Sequence, residues 1–215
     1  MRSTEHRPAT TEWAGQPAFD RFSAGRFATP DPHQFRATWR RTVVDGLQLG
    51  EWATTPVAGA LLPAGDTGLT IIAILDGTAR YSIDNHAVVA ETGSMHVLPG
   101  TSRVRFAIPT PTRLLRIAVP AGLLPDRTRT QADAMTGPVP ASPLTDTLLA
   151  LTEQVLHPTD GGPDSPAARA VHALVTATLE ELTPVVAEQQ LRDRILEHID
   201  RYLIDPDLSP SSIAD

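Results

Sequence analysis

Between Phe35 and Pro120 the chain is a succession of short alternating runs, each broken by Gly, Pro, Asp or Asn, which leaves room for strands and little for helices. The runs are Phe35 to Arg41, Leu47 to Thr54, Ala58 to Leu62, Thr70 to Asp76, Ala79 to Asp84, His86 to Glu91, Ser94 to Leu98, Arg103 to Ala107 and Arg113 to Val119. So many strands in so short a stretch predict an antiparallel barrel or sandwich that curls to protect its edges, as a jelly roll does. Asp84-Asn85, between two alternating runs, predicts a hairpin, because Asn tolerates left-handed backbone.

The stretch ILDGTARYSIDNHAVVAETGSMHVLPGTSRVRF has Gly77 before a strand, a hairpin, Gly93 in a tight turn, and Pro99-Gly100 before the next strand. In order and spacing it resembles the middle of a cupin-type barrel. Metal-dependent cupins hold their ion with two His one residue apart, a nearby Glu and a third His. Here the TIIAIL strand carries no His, and the region offers only His86 and His96, ten apart, with Glu91 between them. Ligands must converge to about 2.0–2.2 Å from one ion, so neither metal nor cofactor is expected. His86 reads as a solvent-facing turn residue, while His96, between Met95 and Val97, is compatible with either face of its strand.

The chain has no cysteine, and no apolar run reaches the roughly 18 residues of a membrane helix. It contains no G-x-S-x-G elbow, Walker loop or G-x-G-x-x-G. Asp76 and Asp84 flank a strand at positions that serve turn geometry, so no catalytic residue is assigned. Residues 1–17, rich in Thr, Pro and charge and without an apolar signal core, read as a loose leader. These features favour a cytoplasmic protein that is not an enzyme.

All 18 basic residues are arginine. Residues 35–119 carry 8 Arg against 6 acids, a balance of +2; residues 120–215 carry 6 Arg against 15 acids, a balance of −9. Nucleic-acid backbones are bound by basic side chains that displace counterions, so the acidic C-terminal half is a poor DNA surface by itself.

Beyond Pro120 the apolar period becomes helical. Leu144, Leu148, Leu151 and Val155 mark one helix between Ser142-Pro143 and His157-Pro158, and Val171, Leu174, Val175, Leu179 and Leu182 mark a second from about Ser165 to Leu182. The two read as an antiparallel pair over residues 140–184. Their stripes suit packing on the barrel, on each other, or on a second copy of the chain; Leu148, Leu151, Val155, Val171, Leu174 and Leu179 are the candidate dimerisation residues.

The last 25 residues, LRDRILEHIDRYLIDPDLSPSSIAD, read as a further amphipathic helix with Leu191, Ile195, Ile199 and Leu203 on one face, a break at Asp205-Pro206-Asp207, and a new helix capped by Ser209. This resembles the opening of the DNA-binding domain of AraC-family transcriptional regulators, with Arg194, Ile195, Ile199, Leu203 and Ser209 as its scaffold. The predicted fold is therefore α+β: a cupin-like antiparallel β-barrel (jelly roll) over 18–125, a helical dimerisation region, and over 188–215 the first part of a truncated helix-turn-helix domain. In that family the barrel senses a small-molecule effector. The resemblance implies a homodimer that reaches DNA only through a C-terminal domain. Trp39, Trp52, Thr54, Tyr81 and His96 are the candidate effector contacts, because such sites combine apolar walls with a few directional groups. A stand-alone cupin enzyme and a ligand-free dimerisation module are the competing readings.

Overall fold

The computed structural model describes residues 8–23, 27–61, 67–83, 86–100, 103–132, 135–158 and 165–203. Strands β1 (Ala9–Ala14), β3 (Arg36–Val44), β4 (Leu47–Thr54), β6 (Thr67–Asp76), β9 (Met95–Pro99), β11 (Thr112–Pro120) and β12 (Gly137–Val139) form one antiparallel sheet in the order β1-β3-β4-β11-β6-β9-β12. Strands β2 (Phe27–Ala28), β5 (Val57–Leu61), β7 (Thr78–Ile83), β8 (His86–Glu91) and β10 (Val104–Ile108) form the second, in the order β2-β5-β10-β7-β8. Among the described residues the α-helices are α1 (Gln16–Ser23), α2 (Asp126–Gln131), α3 (Pro143–Leu156) and α4 (Pro166–Leu203).

All nine runs read from alternation are strands, and the two facing antiparallel sheets bear out the predicted jelly-roll architecture. Asp45 and Gly46 join β3 to β4 with φ of 46° and 86°, the two-residue left-handed turn whose twist matches a hairpin. The Asp84-Asn85 hairpin lies outside the described residues.

The central strands of the larger sheet are buried on both faces. Leu49, Ile71, Val97, Leu115 and Ile117 point to one side and pack with Leu148, Val155, Val171, Val175 and Leu179 of α3 and α4. Ile72, Ile74, Leu98 and Leu114 point to the other and meet Val57, Tyr81, Ile83 and Phe106 of the smaller sheet. This explains why TIIAIL is continuously apolar rather than alternating: Ile71 and Ala73 serve the helical layer while Ile72 and Ile74 serve the barrel interior.

Helix α3 begins as its sequence predicts. The Ser142 hydroxyl accepts from the Thr145 N–H at 3.3 Å, and the Ser142 N–H donates to the Thr145 hydroxyl at 2.9 Å, a reciprocal cap. Its far end is tied to the sheet by charge. Arg113 on β11 pairs with Glu51 on β4 at 3.0 Å and with Glu153 on α3, and His157, just past α3, lies between Glu51 and Arg40.

Two elements differ from the sequence reading. Ala9–Ala14, within the expected leader, pairs along β3 from Ala9 opposite Arg41 to Ala14 opposite Arg36. Its side chains are exposed except for half-buried Trp13, and an edge strand without a buried face has no apolar alternation to betray it. Residues 1–7 lie outside the described residues. The second and third predicted helices are one 38-residue helix, α4, which runs through Pro184 although proline supplies no N–H to the preceding turn. A buried hydrogen bond between the Thr128 and Thr183 hydroxyls, 3.0 Å, fastens α2 to α4 one residue before that proline. The predicted break at 205–207 and the helix start at Ser209 lie outside the described residues.

Gly77 and Gly93 share a left-handed backbone, with φ of 90° and 83°, but differ in their surroundings. A Cβ at Gly77 would meet the Pro111 carbonyl oxygen at 2.5 Å, whereas one at Gly93 would meet nothing. Gly93→Ala is expected to lower the unfolding free energy by about 1 kcal/mol, the left-handed penalty alone, and Gly77→Ala by at least twice as much. Denaturant midpoints of the two variants check this, and equal losses would contradict it.

Candidate ligand-binding site

The antiparallel registers place Arg41, Gly50, Arg116, Ile72 and His96 side by side in one row across β3, β4, β11, β6 and β9. Alternation puts Leu114 and Arg116 on the interior face and Leu115 and Ile117 on the helical face. Above this row the interior opens into a cavity of about 440 Å³, within the size range of small-molecule sites.

Its walls are aromatic. Trp39 and Trp52 face each other across the β3–β4 ladder, and Leu114 continues the same row. The Trp39 ring lies over Gly50, where a Cβ would overlap it. Phe106 of the opposite sheet meets the Trp52 ring edge-to-face at 5.7 Å and stands 5.7 Å from Phe27. Trp13 of β1 and Arg21 of α1 line the opening. The Gly15 N–H donates to the Phe35 carbonyl at 2.8 Å, and Phe19 packs edge-to-face on Phe35 at 4.9 Å; these contacts seat that N-terminal segment on the barrel. All three tryptophans of the chain, and six of its ten aromatic residues, line this one cavity.

The polar groups of the interior are few. Tyr81 lines the cavity, its ring 6.3 Å from that of His96, which settles that His96 faces inward. The Tyr81 hydroxyl and His96 Nε2 are both buried and have no hydrogen-bond partner among the described residues. Burial raises the Tyr81 pKa far above its usual range, holds His96 below its usual value and lowers that of Arg116.

Of the five candidate contacts, Trp39, Trp52 and Tyr81 line the cavity and His96 adjoins it. Thr54 does not join them. It lies toward one end of β4, where its hydroxyl donates to the Thr55 carbonyl at 2.9 Å, and it borders a separate shallow depression with Asp76 and Thr112. The sequence reading missed Trp13, Arg21 and Phe27, which lie in or beside the supposed leader, and it missed Arg116. The signal for Arg116 was available, since it shares a face with Leu114 two residues away.

The candidate dimerisation residues occupy a different layer. Leu148, Val155, Val171 and Leu179 are buried in the chain's own core, with Leu151 and Leu174 packed against it. The four buried residues hold the helices to the barrel, while Leu151 and Leu174 remain partly exposed. Of the DNA-domain scaffold, Arg194, Ile195, Ile199 and Leu203 belong to α4; their side chains and Ser209 lie outside what is described. Among the described residues no three His, Asp or Glu side chains come together as an ion site, and no helix is long and apolar enough to cross a membrane.

Residues 18–182 match the model of the AraC-binding-like domain, and the chain belongs to that family. No curated protein matches it. Among solved structures it is similar in fold to the AraC-like transcriptional activator CuxR, at 15% identity and a TM-score of 0.62, covering 96% of this chain and 82% of that one. Partial overlaps include the Clostridium difficile EutQ protein, at 19% identity and a TM-score of 0.35 over 46% of this chain and 78% of that one. A putative ethanolamine utilization protein Q from Salmonella typhimurium overlaps 55% of this chain and 98% of its own, at 19% identity and a TM-score of 0.35.

An imidazole kept neutral by burial but free to protonate when the chain unfolds makes stability fall as pH drops through its ordinary value of 6.5. His96→Gln is therefore expected to flatten the pH dependence of the unfolding free energy below that value, by at most about 1.4 kcal/mol per pH unit. Denaturant titrations of both proteins at stepped pH test this; parallel curves would show that His96 protonates in the fold without cost.

Proposed function

We propose that this chain is the effector-sensing and dimerisation part of a cytoplasmic AraC-type transcriptional regulator. The observation that carries the reading is the aromatic cavity inside a barrel of the AraC-binding-like family. In this reading the barrel binds its ligand without converting it, and reading DNA falls to a C-terminal domain rather than to the described residues. A pocket lined by rigid rings, with two buried polar atoms awaiting partners, suits a small molecule of mixed character.

The strands that wall the cavity also hold the helices. On β4, Trp52 faces the cavity and its neighbour Glu51 faces the charge cluster at the end of α3. On β11, Arg116 and Leu114 face inward while Arg113 reaches Glu51 and Glu153. A ligand that moves the interior side chains thus acts on the strand pair that positions α3, and through α3 on α4. A coupling of about 1–3 kcal/mol is the usual scale for such linkage.

Most of the α3–α4 stripe packs on the barrel, and Leu151 and Leu174 keep partly exposed apolar surface for pairing. Leu196, 48% exposed on α4, is one described apolar side chain open to a second copy.

Two measurements test the proposal. Against a panel of small metabolites, an effector at one hundred times its Kd is expected to add about 2.7 kcal/mol of stability and to change the tryptophan emission, with Trp52→Ala weakening both. In sedimentation the chain is expected to run as a dimer and Leu196→Glu to shift it toward monomer. A monomer that binds nothing, or a protein purifying with stoichiometric metal and showing turnover, would overturn the reading.

A further inference from the structure

Arg116 stands at the centre of β11, between Gly50 of β4 and Ile72 of β6, in the interior row of the larger sheet. Its neighbours around the cavity are rings and aliphatic side chains: Trp39, Trp52, Phe106, Ile72 and Leu114. Arg113, three residues away on the same strand, has two carboxylates. Arg116 has none: among the described residues no Asp or Glu lies within ion-pair distance of it, and no carboxylate lines the cavity. The second charged group on the lining, Arg21 at the opening, is also a cation.

A guanidinium does not escape this cost by losing its proton, because it stays charged in proteins even where burial lowers its pKa. It carries five fixed N–H donors that match a carboxylate two at a time. A cation drawn partly out of water with no internal counterion, facing an open volume walled by rings, is a receptor for half of an ion pair. The remaining surface fixes the rest of the partner: the walls offer flat apolar faces, and the uncharged polar groups among the described lining residues are the Tyr81 hydroxyl and the indole N–H groups.

From this arrangement we propose that the cavity takes an aromatic carboxylate, its anionic group held by the Arg116 guanidinium and its ring system stacked among Trp39, Trp52 and Phe106. The assignment rests on the sensing role proposed above and names the chemical class of that role's ligand. Arg21 at the mouth adds to the positive field that draws the anion in.

The probes are 2-naphthoate and its neutral counterpart 2-naphthamide, measured by calorimetry and by tryptophan emission, with melting followed in parallel. Naphthoate is expected to bind at least ten-fold more tightly than the amide. Arg116→Gln is expected to abolish that preference by weakening naphthoate binding far more than amide binding, and Arg116→Lys to retain part of it. Arg116→Met supplies a readout that a purely structural arginine would not give. Without ligand its melting temperature is expected to equal or exceed that of the parent, since an uncompensated interior charge has been removed, while the naphthoate-induced rise in melting temperature disappears. A drop in the melting temperature of Arg116→Met, with naphthoate binding intact, would show that Arg116 is a packing residue and overturn the proposal. Equal binding of naphthoate and naphthamide would also overturn it, yet leave the sensing role standing. If neither probe binds, the carboxylate assignment fails, and the sensing role is then decided by the metabolite panel alone.

Discussion

Burial of the central strands of the larger sheet on both faces is the constraint from which the rest follows. β11 lies between β4 and β6, so its alternation sorts side chains into two separate interiors one residue at a time. Leu115, Ile117 and Val119 go to the helical layer, Leu114 and Arg116 to the barrel. At roughly 25 cal/mol per Å² of apolar surface removed from water, neither layer can be stripped away without exposing a continuous apolar face. The helices are therefore part of the domain, and the cavity wall and the helix seat are two sides of the same strands.

The charged groups between sheet and α3 play a different part. Arg113, Glu153 and His157 are substantially exposed, and Glu51 is the least exposed member of the cluster. Exposed pairs contribute about 1 kcal/mol or less each, so the cluster adds little to the energy of docking beside the Leu148, Leu156, Val171 and Leu179 layer. What it supplies is direction: apolar packing tolerates a helix sliding by a fraction of a turn, whereas Arg113 between two carboxylates fixes where the end of α3 sits over β4 and β11.

The strands were legible because they obey local rules. Every run read from alternation became a strand, and the Ser142 cap set the start of α3. What escaped the sequence depended on partners distant along the chain. β1 joins the sheet through backbone pairing with β3 and shows no buried face, so its residues looked like a polar leader. The continuity of α4 across Pro184 goes against local propensity, and the Thr128–Thr183 hydrogen bond just before it comes from an element some fifty residues earlier. Trp39, Trp52 and Tyr81 were found because large rings on strands suggest an interior wall. Arg116 was missed because charge on a strand is ordinarily an outward signal, and Thr54 was misplaced because alternation gives the face of a residue but not its height along the strand.

The N-terminal segment shows why one part of the site differs physically from the rest. Phe106, Leu114 and Ile72 are core residues whose displacement would disturb both sheets. Trp13, Arg21 and Phe27 belong to β1, α1 and β2, elements seated by edge ladders on β3 and β5 and by contacts that include the Gly15–Phe35 hydrogen bond, the Phe19–Phe35 and Phe27–Phe106 ring pairs and the Arg40–Thr10 hydrogen bond. Local stability follows buried apolar contact, and β1, exposed along its length except at Trp13, has less of it than the central strands. A molecule seated between Trp52 and Trp13 buries surface on both the rigid and the loosely held side. In the proposed sensing role its binding energy would tighten the N-terminal segment against the barrel and stabilise β1 on β3, the strand that carries Trp39 toward the cavity and Arg40 toward the charged end of α3.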